Sequence, residues 1–318
     1  MDDTTAATTN RNALFLPDTR RTLGLIDAEY TSLGCLGAGG HGSVYLARKR
    51  SGRKVALKVM PMDTSDDEDY RTFLRELEAV HELNQGDGDD GNKRRNNNRD
   101  LHIVFFEDWF ISRNFVCIVM QYADGGTLSD EIERRMLRTP AEPYAERRIA
   151  WYALQLCDAL AFAHEKGVAH HDVKSSNILI DASAGGRLLL ADFGTALKPG
   201  EETVGFTRSY ASPELLASHE LEDFSNLRPD SIDAFALGAV IYELLACKRL
   251  EDLSADQTLA QFITDGPGLE AVLTMDRTMA LPWLPPNVDP GGSPYVGYTN
   301  GLKSLVSCFL NPNANERL

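Results

Sequence analysis

The chain has 318 residues, 43% of them apolar and 25% charged, with a formal net charge of −15. That composition excludes a disordered or fibrous chain and supplies enough apolar residues for one large domain or two lobes with their own cores. The acidic balance argues against binding a nucleic-acid backbone and for basic partners. No apolar run approaches the ~18 residues that a membrane-spanning helix needs.

In chain order, residues 1–25 read as a polar tail with one apolar patch, "ALFLP". The start, "MDDTTAATTN", is neither a signal peptide nor a myristoylation site. From Tyr30 the pattern changes to short strands, "YTSLGCLG", "GSVYLARK" and "KVALKVM", the last two joined as a hairpin by "RSGRK". An acidic loop, "MDTSDDEDY", leads into a helix, "YRTFLRELEAVHEL". The stretch from Asn84 to Asp100 holds no apolar residue and predicts a mobile surface insertion. Strands resume at "HIVFFEDWF" and "FVCIVMQY", and after "ADGGTL" the pattern is mostly helical. A small β-rich part followed by a larger helical part predicts an α+β protein with two lobes. The five cysteines, Cys35, Cys117, Cys157, Cys247 and Cys308, lie in or beside apolar runs, as core thiols of an intracellular protein do.

Four motifs carry chemistry. The run "LGAGGHGSV" places G-x-G-x-x-G at Gly37, Gly39 and Gly42. A dinucleotide-binding fold would put a helix after the last glycine. Here a strand follows, so the loop joins two antiparallel strands and can aim backbone N–H groups at phosphates, or be an ordinary flexible hairpin. Next, Lys58 lies on a strand whose two faces are both largely apolar, where a bare ammonium is costly. In the helix that follows, Phe73, Leu77, Val80 and Leu83 form an apolar stripe, and Glu76 falls within it. An inward carboxylate and a buried ammonium would satisfy each other, unless Glu76 lies at the stripe edge in water. The third motif, "AHHDVKSSNILI", crowds His170, His171, Asp172, Lys174 and Asn177 between a helix-like and a strand-like apolar run. In the fourth, "LLLADFGTA", a leucine strand ends at Asp192 before Phe193 and Gly194, a plausible position for a metal-ligating carboxylate, with Asn177 as a second oxygen donor.

Together and in this order the motifs resemble the eukaryotic protein kinase family. The resemblance extends to "SPE" at Ser212–Glu214, to "DAFALG" at Asp233–Gly238 and to Arg317, which matches the arginine that pairs with the glutamate of "SPE". It runs from about Tyr30 to the last residue. It implies a two-lobed fold, with a small lobe over about 26–120, a hinge at 121–126, a helical lobe over 127–318 and an activation segment over about 192–214. It implies ATP and Mg2+ as cofactors. Gly37, Gly39 and Gly42 would then cover the phosphates, and Lys58, oriented by Glu76, would hold two of them. Asn177 and Asp192 would bind the metal, Asp172 would receive the proton of the acceptor hydroxyl, and Lys174 would steady the transferred group. Leu36, Val44, Ala56 and Leu179 would sandwich adenine, Met120 would guard the back of the pocket, and Gln121 and Ala123 would offer backbone hydrogen bonds. His170 reads as structural.

Lys174 and Thr207 favour serine and threonine over tyrosine as acceptors, so the implied partners are protein substrates with those side chains and neither nucleic acid nor membrane. The implied compartment is the cytoplasm, with the nucleus as the other candidate. Several segments look most like the NIMA-related kinases. The alternative reading is a pseudokinase scaffold, which would bind nucleotide and partners without phosphotransfer. Three departures stand out: His171 where the family has arginine, the polar insertion, and an unusual stretch over about 264–300. The chain stops one residue after Arg317, where such domains continue into a last helix, so a longer parent protein is expected.

Overall fold

The computed structural model describes residues 30–39, 42–61, 67–84, 101–112, 115–138, 144–197, 205–225, 227–252, 258–265 and 299–317. The N-terminal tail, residues 85–100 of the expected insertion and most of 264–300 lie outside these.

The first lobe is a five-stranded antiparallel sheet in the order β1-β2-β3-β5-β4. The strands are β1 (Tyr30–Gly39), β2 (Gly42–Lys49), β3 (Lys54–Pro61), β4 (Phe106–Ser112) and β5 (Phe115–Gln121). Gly52, at φ 86°, closes the β2–β3 hairpin with its N–H on Lys49 O. Helix α1 (Asp67–Asn84) covers one face of the sheet, where Leu77, Ala79, Val80 and Leu83 share a core with Met60, Phe106 and Ile118. Tyr30, Tyr45, Leu57, Val59 and Val119 form a second cluster, which takes in the ring of Phe110. The helix begins earlier than its apolar stripe predicts. Asp67, Glu68 and Asp69, read from sequence as loop, belong to its first turn.

The second lobe is built on two long helices, α3 (Glu146–Glu165) and α5 (Pro229–Ala246). Every residue from Ser231 to Ala246 is buried, the mark of a helix that is itself the core. Helix α2 (Leu128–Met136) starts at a capping box in which Thr127 and Asp130 exchange hydrogen bonds with each other's backbone N–H. A two-stranded hairpin, β6 (Ile178–Asp181) and β7 (Arg187–Leu190), lies against α3. Helices α4 (Pro213–Leu221), α6 (Leu259–Asp265) and α7 (Asn300–Phe309) complete the described part. All five cysteines are thiols rather than disulfides, but Cys35 and Cys308 are exposed and not in the core as expected.

Candidate active site

The polar loop at residues 169–177 runs from the end of α3 to β6, and a single carboxylate holds it. Asp233, fully buried on α5, accepts the N–H of His170 and the N–H of His171, both at 2.7 Å, and Nε2 of His164 at 2.8 Å. Burial alone would raise the Asp233 pKa. The hydrogen bond and charge of His164 outweigh it and hold the group below the usual carboxylate range. To aim both amides at one carboxylate, His171 takes φ 67°, a left-handed conformation that costs a non-glycine residue energy. The His170 ring donates from Nε2 to Ala191 O at 2.9 Å, accepts the Asp172 N–H at 3.3 Å on Nδ1, and packs at a tilt against the Phe193 ring. This is a scaffold role. The His171 ring is buried, and neither ring nitrogen has a hydrogen-bond partner among the described residues. Burial pushes its pKa down.

With the loop backbone fixed, the Asp172 carboxylate meets three donors. The Thr207 hydroxyl donates to Oδ1 at 2.6 Å, Lys174 Nζ lies 2.8 Å from Oδ2, and Asn177 Nδ2 donates to Oδ2 at 3.1 Å. Lys174 also donates to Thr207 Oγ1 at 2.8 Å, so the hydroxyl bridges the cation and the carboxylate. A carboxylate offers about four acceptor sites, so one further donor can still be received. Thr207, 35 residues along the chain, thus completes the cluster.

Lys58, on β3, donates at 2.7 Å to Glu76 on α1 and at 2.7 Å to Asp192, which follows β7. Its ammonium and the Glu76 carboxylate are both buried, so neither has water as an alternative partner. Burial opposes the Lys58 charge, but the two carboxylates outweigh it and raise its pKa above the ordinary lysine value. Asp192 sits at φ 65°, a second left-handed residue in the site. Asn177 turns its amide nitrogen to Asp172, which leaves the amide oxygen outside that pair. An amide oxygen and a carboxylate are hard oxygen donors of the kind Mg2+ takes when phosphates and water supply the rest of its shell. The donor set fits that ion.

The residues expected to line a nucleotide pocket take the following places. Ala56, Met120 and Ala123 belong to one core cluster, with Val44 and Leu179 packed against it. Leu36 remains 48% exposed on β1. The N–H of Gln121 is taken by Phe105 O at 2.8 Å, so Gln121 can serve a ligand only through its carbonyl. In the glycine turn, Gly42 has φ 118°, and a Cβ there would lie 2.4 Å from Val59 O. A Cβ on Gly37 would meet nothing within 4 Å, and Gly39 pairs with Gly42 across the strands.

The family model described as "Protein kinase domain" matches residues 30–318. The chain belongs to the protein kinase family. It has that family's two-lobed α+β fold. It is 30% identical to NUAK family SNF1-like kinase 2 of Rattus norvegicus over 256 residues, covering 80% of this chain and 37% of that protein. It is 32% identical to serine/threonine-protein kinase PknJ of Mycobacterium tuberculosis over 232 residues, covering 70% of this chain and 34% of that one. It is 27% identical to serine/threonine-protein kinase Aurora-1 of Arabidopsis thaliana over 285 residues, covering 81% of this chain and 86% of that one. The matched region is thus little more than a third of the first two relatives. Two of these relatives carry serine/threonine-protein kinase in their names.

The segment that ends in Ser212-Pro213-Glu214 is anchored twice near that end. Arg317 makes a bidentate pair with Glu214 and donates to the carbonyls of Ser231 and Asn311. Earlier in the segment, the Tyr210 hydroxyl lies 3.1 Å from Ser175 Oγ and donates to Glu243 Oε1 at 2.8 Å. Neither Tyr210 nor Glu243 stands out in the sequence: Tyr210 lies in a mixed polar stretch, and Glu243 is one polar residue in an apolar run. Asp233 was legible only as the start of a family helix, not as the clamp on the loop. No helix among the described residues is long and apolar enough to cross a membrane.

Proposed function

We propose that the chain is an ATP- and Mg2+-dependent kinase that phosphorylates serine and threonine side chains of proteins. The observation that carries the reading is the Asp172 cluster: a carboxylate held by Thr207, Lys174 and Asn177 with one acceptor site to spare. That site suits an acceptor hydroxyl, which Asp172 orients and whose proton it receives. The Lys174 ammonium, beside Asp172, steadies the transferred phosphoryl group. Lys58, aligned by Glu76, holds the nucleotide phosphates, and the turn at Gly37, Gly39 and Gly42 covers them. Ala56, Met120, Val44 and Leu179 flank the base, with Leu36 closing over it and Gln121 and Ala123 at its edge. Held by Asn177 and Asp192, Mg2+ supplies positive charge against the triphosphate. Thr207 and Lys174 together favour serine or threonine acceptors, and a cytoplasmic or nuclear setting fits the five thiols.

Transfer of phosphate from ATP to a generic basic protein and to serine, threonine and tyrosine peptide arrays tests this, with Asp172→Asn beside the parent. The expected result is transfer to serine and threonine that falls by roughly 10²-fold or more in Asp172→Asn, with nucleotide affinity kept. Nucleotide binding without transfer by the parent would instead support the pseudokinase reading. Activity of Asp172→Asn within about threefold of the parent removes Asp172 from its role.

A further inference from the structure

Two charges stand beside the Asp172 cluster that the cluster itself does not use. One is Arg208. Thr207 turns its hydroxyl in to Asp172 Oδ1 at 2.6 Å, and Arg208, the next residue, opens a single helical turn over Arg208–Tyr210 and is exposed. Its guanidinium makes no hydrogen bond or ion pair among the described residues. In a chain with a net charge of −15 an arginine readily finds a carboxylate, as Arg187, Arg249 and Arg317 do at Asp181, Glu133 and Glu214. Lys174, a second cation beside Asp172, is taken up by that carboxylate and by the Thr207 hydroxyl. The other unused charge is Glu251, also exposed, whose Oε1 accepts the Ser176 hydroxyl at 3.4 Å and meets no cation among the described residues. Ser176 precedes Asn177, whose amide donates to Asp172 Oδ2. An uncommitted cation thus follows the residue on Oδ1, and an uncommitted carboxylate lies against the neighbour of the residue on Oδ2.

We propose that Arg208 is a specificity-determining residue, which receives the carboxylate of an acidic side chain close to the acceptor serine or threonine, on one flank of it only. The backbone under Arg208 is fixed on both sides. Thr207 is held by Asp172 and Lys174, the Tyr210 N–H donates to Thr207 O at 3.0 Å, and the Tyr210 hydroxyl is held by Glu243. The guanidinium therefore starts from a set place relative to the acceptor. An extended peptide advances about 3.3 Å per residue, so the first residues beside the acceptor are the ones within its reach. A planar guanidinium grips a carboxylate through two parallel hydrogen bonds, a geometry that a hydroxyl or an amide does not match. The flank is set by Glu251: a peptide carboxylate that passes Ser176 meets a like charge, which is costly at an interface. The negative field of the whole chain opposes acidic peptides elsewhere, so acceptance of one is local to Arg208.

The substrate class rests on the kinase reading, but peptide binding needs no transfer, and the two are measured apart. Dephosphorylated protein, with Mg2+ and a non-hydrolysable ATP analogue, is titrated with fluorescent peptides of one length. Each carries a single Asp, Lys or Ala at one of the positions on either side of an acceptor Ser, and kcat/KM for the same peptides is read with ATP. Asp at one position on one flank should tighten binding by roughly fivefold or more over Ala and raise kcat/KM through KM, and Asp on the other flank should weaken both. The gain should shrink between about 50 and about 500 mM salt. Arg208→Glu should reverse the order at that position, so that Lys replaces Asp as the preferred residue; a misfolded variant cannot gain a preference. Equal affinity for Asp and Ala at every position overturns the proposal, as does a preference for Asp that survives Arg208→Glu. A preference that emerges only in Glu201→Gln/Glu202→Gln would mean that the segment's own carboxylates occupy Arg208, and also overturns it. Selective binding of the Asp peptide without transfer would uphold the role of Arg208 and overturn the kinase reading instead.

Discussion

Glu243→Gln isolates a proton that the helical lobe holds in its interior. Glu243 is fully buried on α5; its Oε1 accepts the Tyr210 hydroxyl at 2.8 Å and the Leu250 N–H at 2.7 Å. Its Oε2 is buried with no hydrogen bond among the described residues. Burial, aided by the nearby charge of Glu251 and only partly offset by the hydrogen bonds, pushes its pKa from 4.5 up to about 8. The carboxyl is therefore neutral in both folded and unfolded chains below about 4.5 and ionised in both above about 8. Between those limits the folded state holds a proton that the unfolded state has lost, so its stability falls as pH rises. Each tenfold in proton affinity is worth about 1.36 kcal/mol, so the move from 4.5 to about 8 caps the effect at about 5 kcal/mol. Glutamine keeps the Oε1 acceptor and cannot ionise. Any packing cost it brings is the same at every pH, so the slope and not the offset is the readout. Unfolding by denaturant at several values between pH 5.5 and 8.5, for parent and variant together, measures it. The parent should lose about 3 kcal/mol relative to Glu243→Gln across that span. Parallel curves would refute a neutral buried Glu243.

Three other outcomes follow from the same packing. Thr207→Ala removes the hydroxyl between Lys174 and Asp172, and kcat should fall by roughly tenfold with KM for ATP unchanged, whereas Thr207→Ser should restore most of it. His171 is buried, its pKa is pushed down, and it presents no cation to the activation segment, so dephosphorylated protein should keep its activity to within about twofold. A drop of roughly tenfold, equal to about 1.4 kcal/mol, reversed by rephosphorylation, would overturn that. Of the hydroxyls of that segment, Thr203 lies outside the described residues, and Ser209 is half-buried. Gly238→Ala sets two effects against each other. Alanine favours the α5 helix by about 1 kcal/mol, but its Cβ would lie 2.8 Å from Phe309 Cβ and 2.9 Å from Leu310 Cδ2. A Cβ is fixed to its backbone and cannot rotate away, so overpacking of about 1–3 kcal/mol should win and lower the melting temperature.

The alternation of apolar residues around Lys58 and the stripe that holds Glu76 were enough to predict their pairing, because both signals are local and each group has the other's burial problem. The same holds for the hairpin at Gly52 and the α+β order of elements, both of which rest on local patterns of residue types. The order of short motifs also sufficed to indicate the family, and so the approach of Arg317 to Glu214. Other features were decided only when the chain folded. Asp233 reaches back 62 and 63 residues to the amides of His171 and His170, and nothing around it in sequence distinguishes a clamp from a helix start. Glu243 reads as one polar residue in an apolar helix until Tyr210 and Leu250 are brought to it. His171 reads as a replacement for arginine, and only the folded chain shows that its ring is buried with no hydrogen bond among the described residues. In each case the deciding quantity is burial by a distant segment, which sets the electrostatic cost of a charge, and no local pattern of residue types encodes it.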